Sequence, residues 1–438
     1  MNRRVSHLMR AVLVLLAGLS GVGCLGCASG QTSSAAAVAT VASLAECLDR
    51  VASSPLSVGQ DSAPVPDLLK PPKGSAFIEP QYRTCVLRAT AHEAEPPSGF
   101  ARNDYSRRQA FNRDNSRFLV YALDGYWHLY DAANFTWQAR LDGPASDAEP
   151  QWHPDDPDRL YYLPTNGIGM VINELNVRTG RSRQIADLSD RVRARWPSAN
   201  AAWTRSEGSP SRDGRYWALQ VEDEQFGALG LLVWDRDEDR IVSFMDNRER
   251  PDHLSMSPSG RHVVVSWLNG TRAYDREFNN ERLLQGRTEH SDLAVGADGH
   301  DVYVSIDYAS NDGWIFMVNL ETGQRTDLLR TYIRGSATAM HFSGKGYERP
   351  GWVLVSTYAR IKQPEWLHDK IFVMELAADP RIIPLAHHHS VAAGYWSEPQ
   401  ASVSRDFTRV LFNSNWANPS ETDIDAYFIR IPDGGLPD

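Results

Sequence analysis

Ser257-Pro258-Ser259-Gly260-Arg261-His262-Val263-Val264-Val265 joins a tight polar turn to a run of β-branched residues. Proline presets φ at the second turn position and glycine supplies a left-handed residue. The valine run that follows suits a pleated, buried strand. The same pattern recurs upstream as Asp114-Asn115-Ser116-Arg117-Phe118-Leu119-Val120, Asp156-Pro157-Asp158-Arg159-Leu160-Tyr161-Tyr162 and Asp213-Gly214-Arg215-Tyr216-Trp217-Ala218-Leu219. Downstream it recurs as Asp298-Gly299-His300-Asp301-Val302-Tyr303-Val304. Two looser copies, Pro350-Gly351-Trp352-Val353-Leu354-Val355 and Asp406-Phe407-Thr408-Arg409-Val410-Leu411-Phe412, complete the series.

Most copies are followed by a second apolar run ending in a polar turn, for example Leu231 to Asp235 and Trp314 to Leu320. A repeat of about 40 to 55 residues holding several short strands is the spacing of a β-propeller. The chain is therefore read as all-β, a seven-bladed propeller over residues 76–438, with six or eight blades left open by the loose copies. A β-sandwich fits the turns but not the long regular period. A propeller removes its exposed sheet edge when one terminus completes the other's blade, and Tyr82 to Thr90 is the expected closing strand.

The first residues carry Arg3, Arg4 and Arg10, and an apolar run from Ala11 to Leu19 follows, the layout of an export leader over 1–29. That run is shorter than the roughly 20 residues a spanning helix needs. Cys24 and Cys27, each preceded by glycine, stand where a lipoprotein would be cut and acylated, though neither has the usual leucine three residues earlier. Lipidation and plain secretion both stay open, placing the protein in the periplasm, on the outer membrane or outside the cell. Residues 30–75, rich in Ala, Ser and Pro, read as a tether. Cys47 and Cys85 are the two remaining cysteines, and an oxidising compartment predicts that they form a disulfide.

The net charge is −10, and removing the leader's arginines makes the remainder more acidic. Nucleic acid is excluded as a partner, because phosphate binders need a basic stripe. No Gly-x-Ser-x-Gly elbow and no phosphate-cradling Gly-x-x-x-x-Gly-Lys-Ser/Thr occurs, so neither a hydrolase elbow nor a nucleotide loop is expected.

In a propeller the strand before each turn lines the central channel, and alternate residues share a face. Aligned on the Pro258 turn, the position of His253 is occupied elsewhere by Arg108, Glu149, Arg205, Asp292 and Gln400, and His290 and Glu398 stand two residues before Asp292 and Gln400. His341, ahead of Ser343-Gly344-Lys345, fills the place in the sixth repeat. Every one of these residues bonds hydrogen, which predicts a polar ligand site at the channel mouth. His253, His290, His341 and Gln400 are the candidate metal ligands, imidazole and amide oxygen both suiting Zn, Mn or Ca. A solvated funnel without metal is the competing reading. His387-His388-His389 looks like a metal tract, but alternate side chains of an extended segment diverge, so at most two can share a ligand, and a surface loop before the last blade is expected. Trp127, Trp152, Trp203, Trp234, Trp314 and Trp396 are expected mostly in blade cores.

Ser209-Pro210-Ser211-Arg212-Asp213-Gly214-Arg215, the Pro258 turn and Val233-Trp234-Asp235 resemble the WD-like repeats of periplasmic TolB-type propellers. A narrower set, Asn103-Asp104-Tyr105-Ser106-Arg107, Glu149-Pro150-Gln151-Trp152-His153-Pro154, Glu289-His290-Ser291-Asp292 and Tyr395-Trp396-Ser397-Glu398-Pro399-Gln400, resembles the seven-bladed oligogalacturonate and ulvan lyases. The second resemblance implies an acidic oligo- or polysaccharide ligand cleaved by β-elimination, and a metal held by histidines of neighbouring blades. Glu398 and Gln400 replace that family's His-x-His. Arg108, Arg205, His253 and His290 are the candidates for charge neutralisation and proton transfer. The first resemblance implies instead a non-catalytic propeller that binds a periplasmic protein. Contact with a membrane is expected only through the N-terminal lipid.

Overall fold

A computed structural model describes residues 43–437 apart from 53–54, 146, 206 and 433. Cys24, Cys27 and the leader lie outside the described residues. No helix among these residues is long and apolar enough to cross a membrane.

Seven antiparallel blades succeed one another along the chain. Blade 1 comprises Ala101–Arg102, Arg117–Ala122, Tyr126–Asp131 and Trp137–Ala145, and blade 2 begins at Gln151–Trp152. Blades 3 to 6 start at Ala201–Trp203, His253–Met256, Ser291–Val295 and Ala337–Ser343, and each is a four-stranded sheet in chain order. Blade 7 takes Ser402–Val403, Arg409–Ser414 and Asp425–Arg430 from the C-terminus and its outer strand, Cys85–Arg88, from the N-terminus. The closing strand falls where the sequence places it, and Ala76–Ile78 adds a fifth strand outside it.

The turn that defines the repeat works as its residues require. Gly260 has φ +74°, and a Cβ there would meet the Tyr216 ring of the preceding blade at 2.7 Å, so only glycine fits. The first copy fills the equivalent left-handed position with Asn115 and the loose seventh copy with Phe407 (φ +57° and +60°), and the phenylalanine is why the seventh matches the pattern poorly. Between turns the alternate faces bury against neighbouring blades: Leu119, Leu129 and Trp127 of blade 1 pack with Trp152, Leu160 and Leu175 of blade 2. At about 25 cal/mol per Å² of apolar surface these seams supply the main stabilisation.

The stretch read as a tether is partly ordered against the ring. Leu44–Val51 is helical, with the Ser43 hydroxyl accepting the Glu46 N–H at 3.1 Å and Cys47 and Val51 buried one turn apart. Cys47 is disulfide-bonded to Cys85 of the closing strand. Farther on, the Gly59 N–H donates to the Ile382 carbonyl (2.9 Å), the Lys370 ammonium to the Asp61 carbonyl (2.8 Å) and the Trp416 indole to the Leu68 carbonyl (2.9 Å). Composition shows the low complexity of this segment but not the single backbone bonds that hold it.

The disulfide spans 38 residues, and cross-links of that size contribute about 2–4 kcal/mol. The Cys47→Ser/Cys85→Ser double variant therefore melts several degrees below wild type, and reductant lowers the wild-type melting temperature alone. Equal melting temperatures with and without reductant contradict the cross-link.

Candidate functional site

Two insertions fill the mouth end of the channel. In blade 1 the inner strand pairs Arg102 with Tyr121 and resumes only at Phe111, opposite Phe118. Residues 103–110 thus face just Leu119 and Val120, and the surplus forms a loop. In blade 3, Trp203 pairs with Gln220 and the Ser211 N–H next meets the Tyr216 carbonyl, so 204–210 likewise exceed 217–219. Arg108 and Arg205, read from sequence as strand positions equivalent to His253, ride on these insertions instead. Arg205 and Glu207 hold left-handed backbone (φ +49° and +62°), uncommon for such residues and a mark of a constrained segment.

The blade 1 loop reaches across the channel. The Arg107 guanidinium donates to the Ser291 carbonyl of blade 5 and, at 2.9 Å, to Glu207 of blade 3, while lying over the Tyr105 ring. Arg108 pairs with Asp104 (3.2 Å) and with buried Glu149. Glu149 in turn accepts the Glu207 N–H and the Thr204 hydroxyl. Deeper in, Asp292 binds the Lys345 ammonium at 3.0 Å and the Gly344 N–H at 2.7 Å. These pairs join blades 1, 2, 3, 5 and 6 across the channel.

At the mouth, between blades 5, 6 and 7, His290 and His341 lie face to face with ring centres 4.3 Å apart, and Tyr358 stacks on His341 at 4.8 Å. His341 Nε2 is 2.8 Å from Glu398, whose same oxygen accepts the Gln400 amide at 2.9 Å. The structure therefore groups four of the sequence candidates: His290, His341, Glu398 and Gln400. His253 stands apart, beside Ser266 (3.4 Å) and Asp252 (3.6 Å).

Burial governs the ionisation of this region. It pushes Glu207 up to about 7 against the opposing pull of Arg107, and Glu398 up to about 7 against His290. Burial also lowers His253 to about 4, reinforced by Arg107, and His290 to about 3, reinforced by His341. The imidazoles are thus neutral over the ordinary pH range, as metal ligands must be. The Met340 carbonyl takes the His290 Nδ1 proton at 2.9 Å, which leaves Nε2 with a lone pair. The His341 Nδ1 and Gln400 Oε1 atoms are buried without a partner. Imidazole, carboxylate and amide oxygen are donor types that a divalent cation of the Mn or Zn kind accepts, but His290, His341 and Glu398 do not bring three donor atoms within 4.8 Å of one another.

Among the described residues the group that does bring its donor atoms within 4.8 Å is His92, Glu93 and Asp425. Arg88 (2.6 Å) and Lys70 (3.2 Å) already bind the Asp425 carboxylate there, so this cluster carries its own cations. The histidine tract is not on a surface loop: His387, His388 and His389 are all buried. His387 binds Glu79 at 2.8 Å and His389 stacks on Trp416 at 4.3 Å. Trp127, Trp152, Trp203 and Trp234 are core residues, whereas Trp314 and Trp396 are half-buried, the latter covering Arg102 at 4.0 Å. Sequence reasoning missed Arg107, Glu207, Tyr105, Tyr358 and Tyr395. The long spacings before the blade 1 and blade 3 turns signalled the first two; nothing in the pattern marks Tyr358.

No family model matches the chain, and no curated protein matches it in sequence. Among solved structures it is similar to oligogalacturonate lyase from Vibrio parahaemolyticus, with a TM-score of 0.58 at 12% identity over 82% of this chain and 97% of that one. It is likewise similar to an oligogalacturonate lyase in complex with manganese, with a TM-score of 0.58 at 13% identity over 87% and 98%. At such identities the likeness shows the fold, and the chain is a β-propeller.

Because Glu207 is favoured in its neutral form, the stability it contributes is full below the ordinary carboxyl value of 4.5 and is lost as pH rises to about 7. Glu207→Gln removes that loss. The wild-type melting temperature, taken relative to the variant, should fall between those pH values, and parallel profiles would refute the burial effect.

Proposed function

We propose that the channel mouth binds an acidic glycan and cleaves it by β-elimination. The observation that carries this reading is Arg205. Arg102, Arg107 and Arg108 each meet a carboxylate, but Arg205 has no ion pair among the described residues and its Nε is buried without a hydrogen-bond partner. Burial lowers its affinity for a proton, as does Arg250. A partly buried guanidinium lacking a counter-ion is a ready receptor for a ligand carboxylate.

Arg205 would take the uronate carboxylate, stabilising the charge that develops when the C5 proton leaves. Glu207, two residues along the same insertion, is half ionised near neutrality and suits the base that removes this proton. The C4–O bond then breaks as a C4–C5 double bond forms, and the departing oxygen takes a proton. Tyr395, whose hydroxyl lies 3.5 Å from Glu207, is placed to pass one on. A divalent cation would have to draw His290, His341, Glu398 and Gln400 together to be held there, and would then add Lewis-acid polarisation of the carboxylate. The leader supports export, and Cys24 or Cys27 would carry the lipid if one is attached.

A second reading, docking of a protein on the same face, is favoured by one observation. The hairpin tips beside the mouth expose Leu123, Phe226 and Leu268 at 50%, 48% and 75%, large apolar residues of the kind interfaces cover.

Incubation with pectic, ulvan and alginate fragments should yield an unsaturated product absorbing in the ultraviolet. Glu207→Gln should lower kcat about a hundredfold or more, the scale of general base catalysis, and Arg205→Ala should abolish binding. Absence of product and of any ligand-induced melting shift on all three polymers contradicts the proposal; a melting shift without product reduces it to a binding site. Elemental analysis tests the cation separately: a stoichiometric divalent metal is expected, lost in His341→Ala, and trace metal in the wild type removes it.

A further inference from the structure

A cleft of about 630 Å³ opens at the outer rim between blades 5 and 6, walled by Trp314, Arg330, Tyr332, Arg334, Trp366 and, from the N-terminal segment, Gln60. Its size is that of a small-ligand site. Resting on the glycan reading of the mouth, we infer that this cleft is a distal subsite for the same chain of acidic sugars, so that the protein selects long oligomers over short ones.

Three observations carry the inference. The first is continuity. Tyr332 in the cleft donates its hydroxyl to the Tyr308 carbonyl at 2.8 Å, and Tyr308 reaches the Thr338 carbonyl on the inner strand of blade 6 at 3.4 Å. Three residues farther along that strand is His341, in contact with His290 and Tyr358. Hydrogen bonds therefore tie the cleft wall to the inner strand of blade 6 along the blade 5–6 seam. The second is length. From the inner to the outer strand of blade 5 there are three inter-strand steps, about 14 Å in all, a distance that several linked sugar rings span and one does not.

The third is chemistry. Arg330 lies over Trp314 with its guanidinium 4.9 Å from the ring centre, and its nearest acid, Asp312, is 3.9 Å away. Arg334 is 80% exposed at its side chain and binds Glu365 at 2.9 Å. Glu365, which takes Arg334, and Asp379 also line the cleft, so Arg330 beside the half-buried Trp314 face is the group left to meet a sugar ring that carries a carboxylate. The wall is also held in place. Asp61, next to Gln60, gives its carbonyl to the Lys370 ammonium at 2.8 Å, which ties the N-terminal segment to blade 6.

Calorimetric titration with a galacturonate dimer and a galacturonate hexamer tests the subsite. The wild type should bind the hexamer about tenfold tighter, a gain of about 1.4 kcal/mol. Arg330→Ala and Trp314→Ala should each reduce hexamer affinity to that of the dimer and leave the dimer unchanged. Arg330 is exposed, so its variant should fold even if removal of Trp314 disturbs packing. Arg205→Ala separates the two readings. If it weakens both oligomers while the cleft variants bind the hexamer like wild type, the subsite is overturned and the mouth stands. If the cleft variants lose hexamer affinity and Arg205→Ala changes nothing, the cleft binds sugar and the mouth assignment fails. Equal wild-type affinities for the two oligomers, or no binding of either, overturn the subsite.

Discussion

A ring of blades holds together only if its last sheet is completed, and here that depends on a buried carboxylate. Asp425 sits on the third strand of blade 7, fully buried, where the N-terminal closing strand arrives. It binds Arg88 at 2.6 Å, the Thr90 hydroxyl at 2.9 Å and the His92 N–H at 3.0 Å, and these donors with His92 hold its carboxyl far below the usual range despite burial. A single ladder pair, Asp425 with Ala101, also links blade 7 to blade 1. Removing one partner of such a cluster leaves an uncompensated buried charge, which is far costlier than losing an exposed pair. The Cys47–Cys85 bond acts at the same seam, so termini far apart in sequence share one junction.

That closure lets the channel mouth be built from rigid parts. His341 on the inner strand of blade 6, His290 just before that of blade 5, and Glu398 and Gln400 on the segment leading into that of blade 7 meet at one point, while insertions in blades 1 and 3 carry Arg107, Arg205 and Glu207. Groups anchored to several blades keep their mutual geometry better than groups on one loop.

Turn chemistry made the blades legible in the sequence: glycine or asparagine at a left-handed position before a β-branched run is a local signal, and it repeats. Closure by Tyr82 to Thr90 and the Cys47–Cys85 pairing followed from the same logic. The site was less legible because alignment on the turns assumes equal inner strands. It therefore placed Arg108 and Arg205 in register with His253, although both sit on insertions that the spacing alone does not resolve. The buried histidine tract misled for a related reason: polar composition suggested a loop, whereas Glu79 and Trp416, distant in sequence, supply the partners that let it enter the core.

The central claim is that Arg205 waits for a carboxylate brought by a sugar. A crystal structure of the protein soaked with a uronate oligomer tests it most directly. The account predicts the ligand's carboxylate within hydrogen-bond distance of the Arg205 guanidinium, with Glu207 facing the C5 carbon. An oligomer bound elsewhere, with Arg205 still lacking a counter-ion, would contradict it.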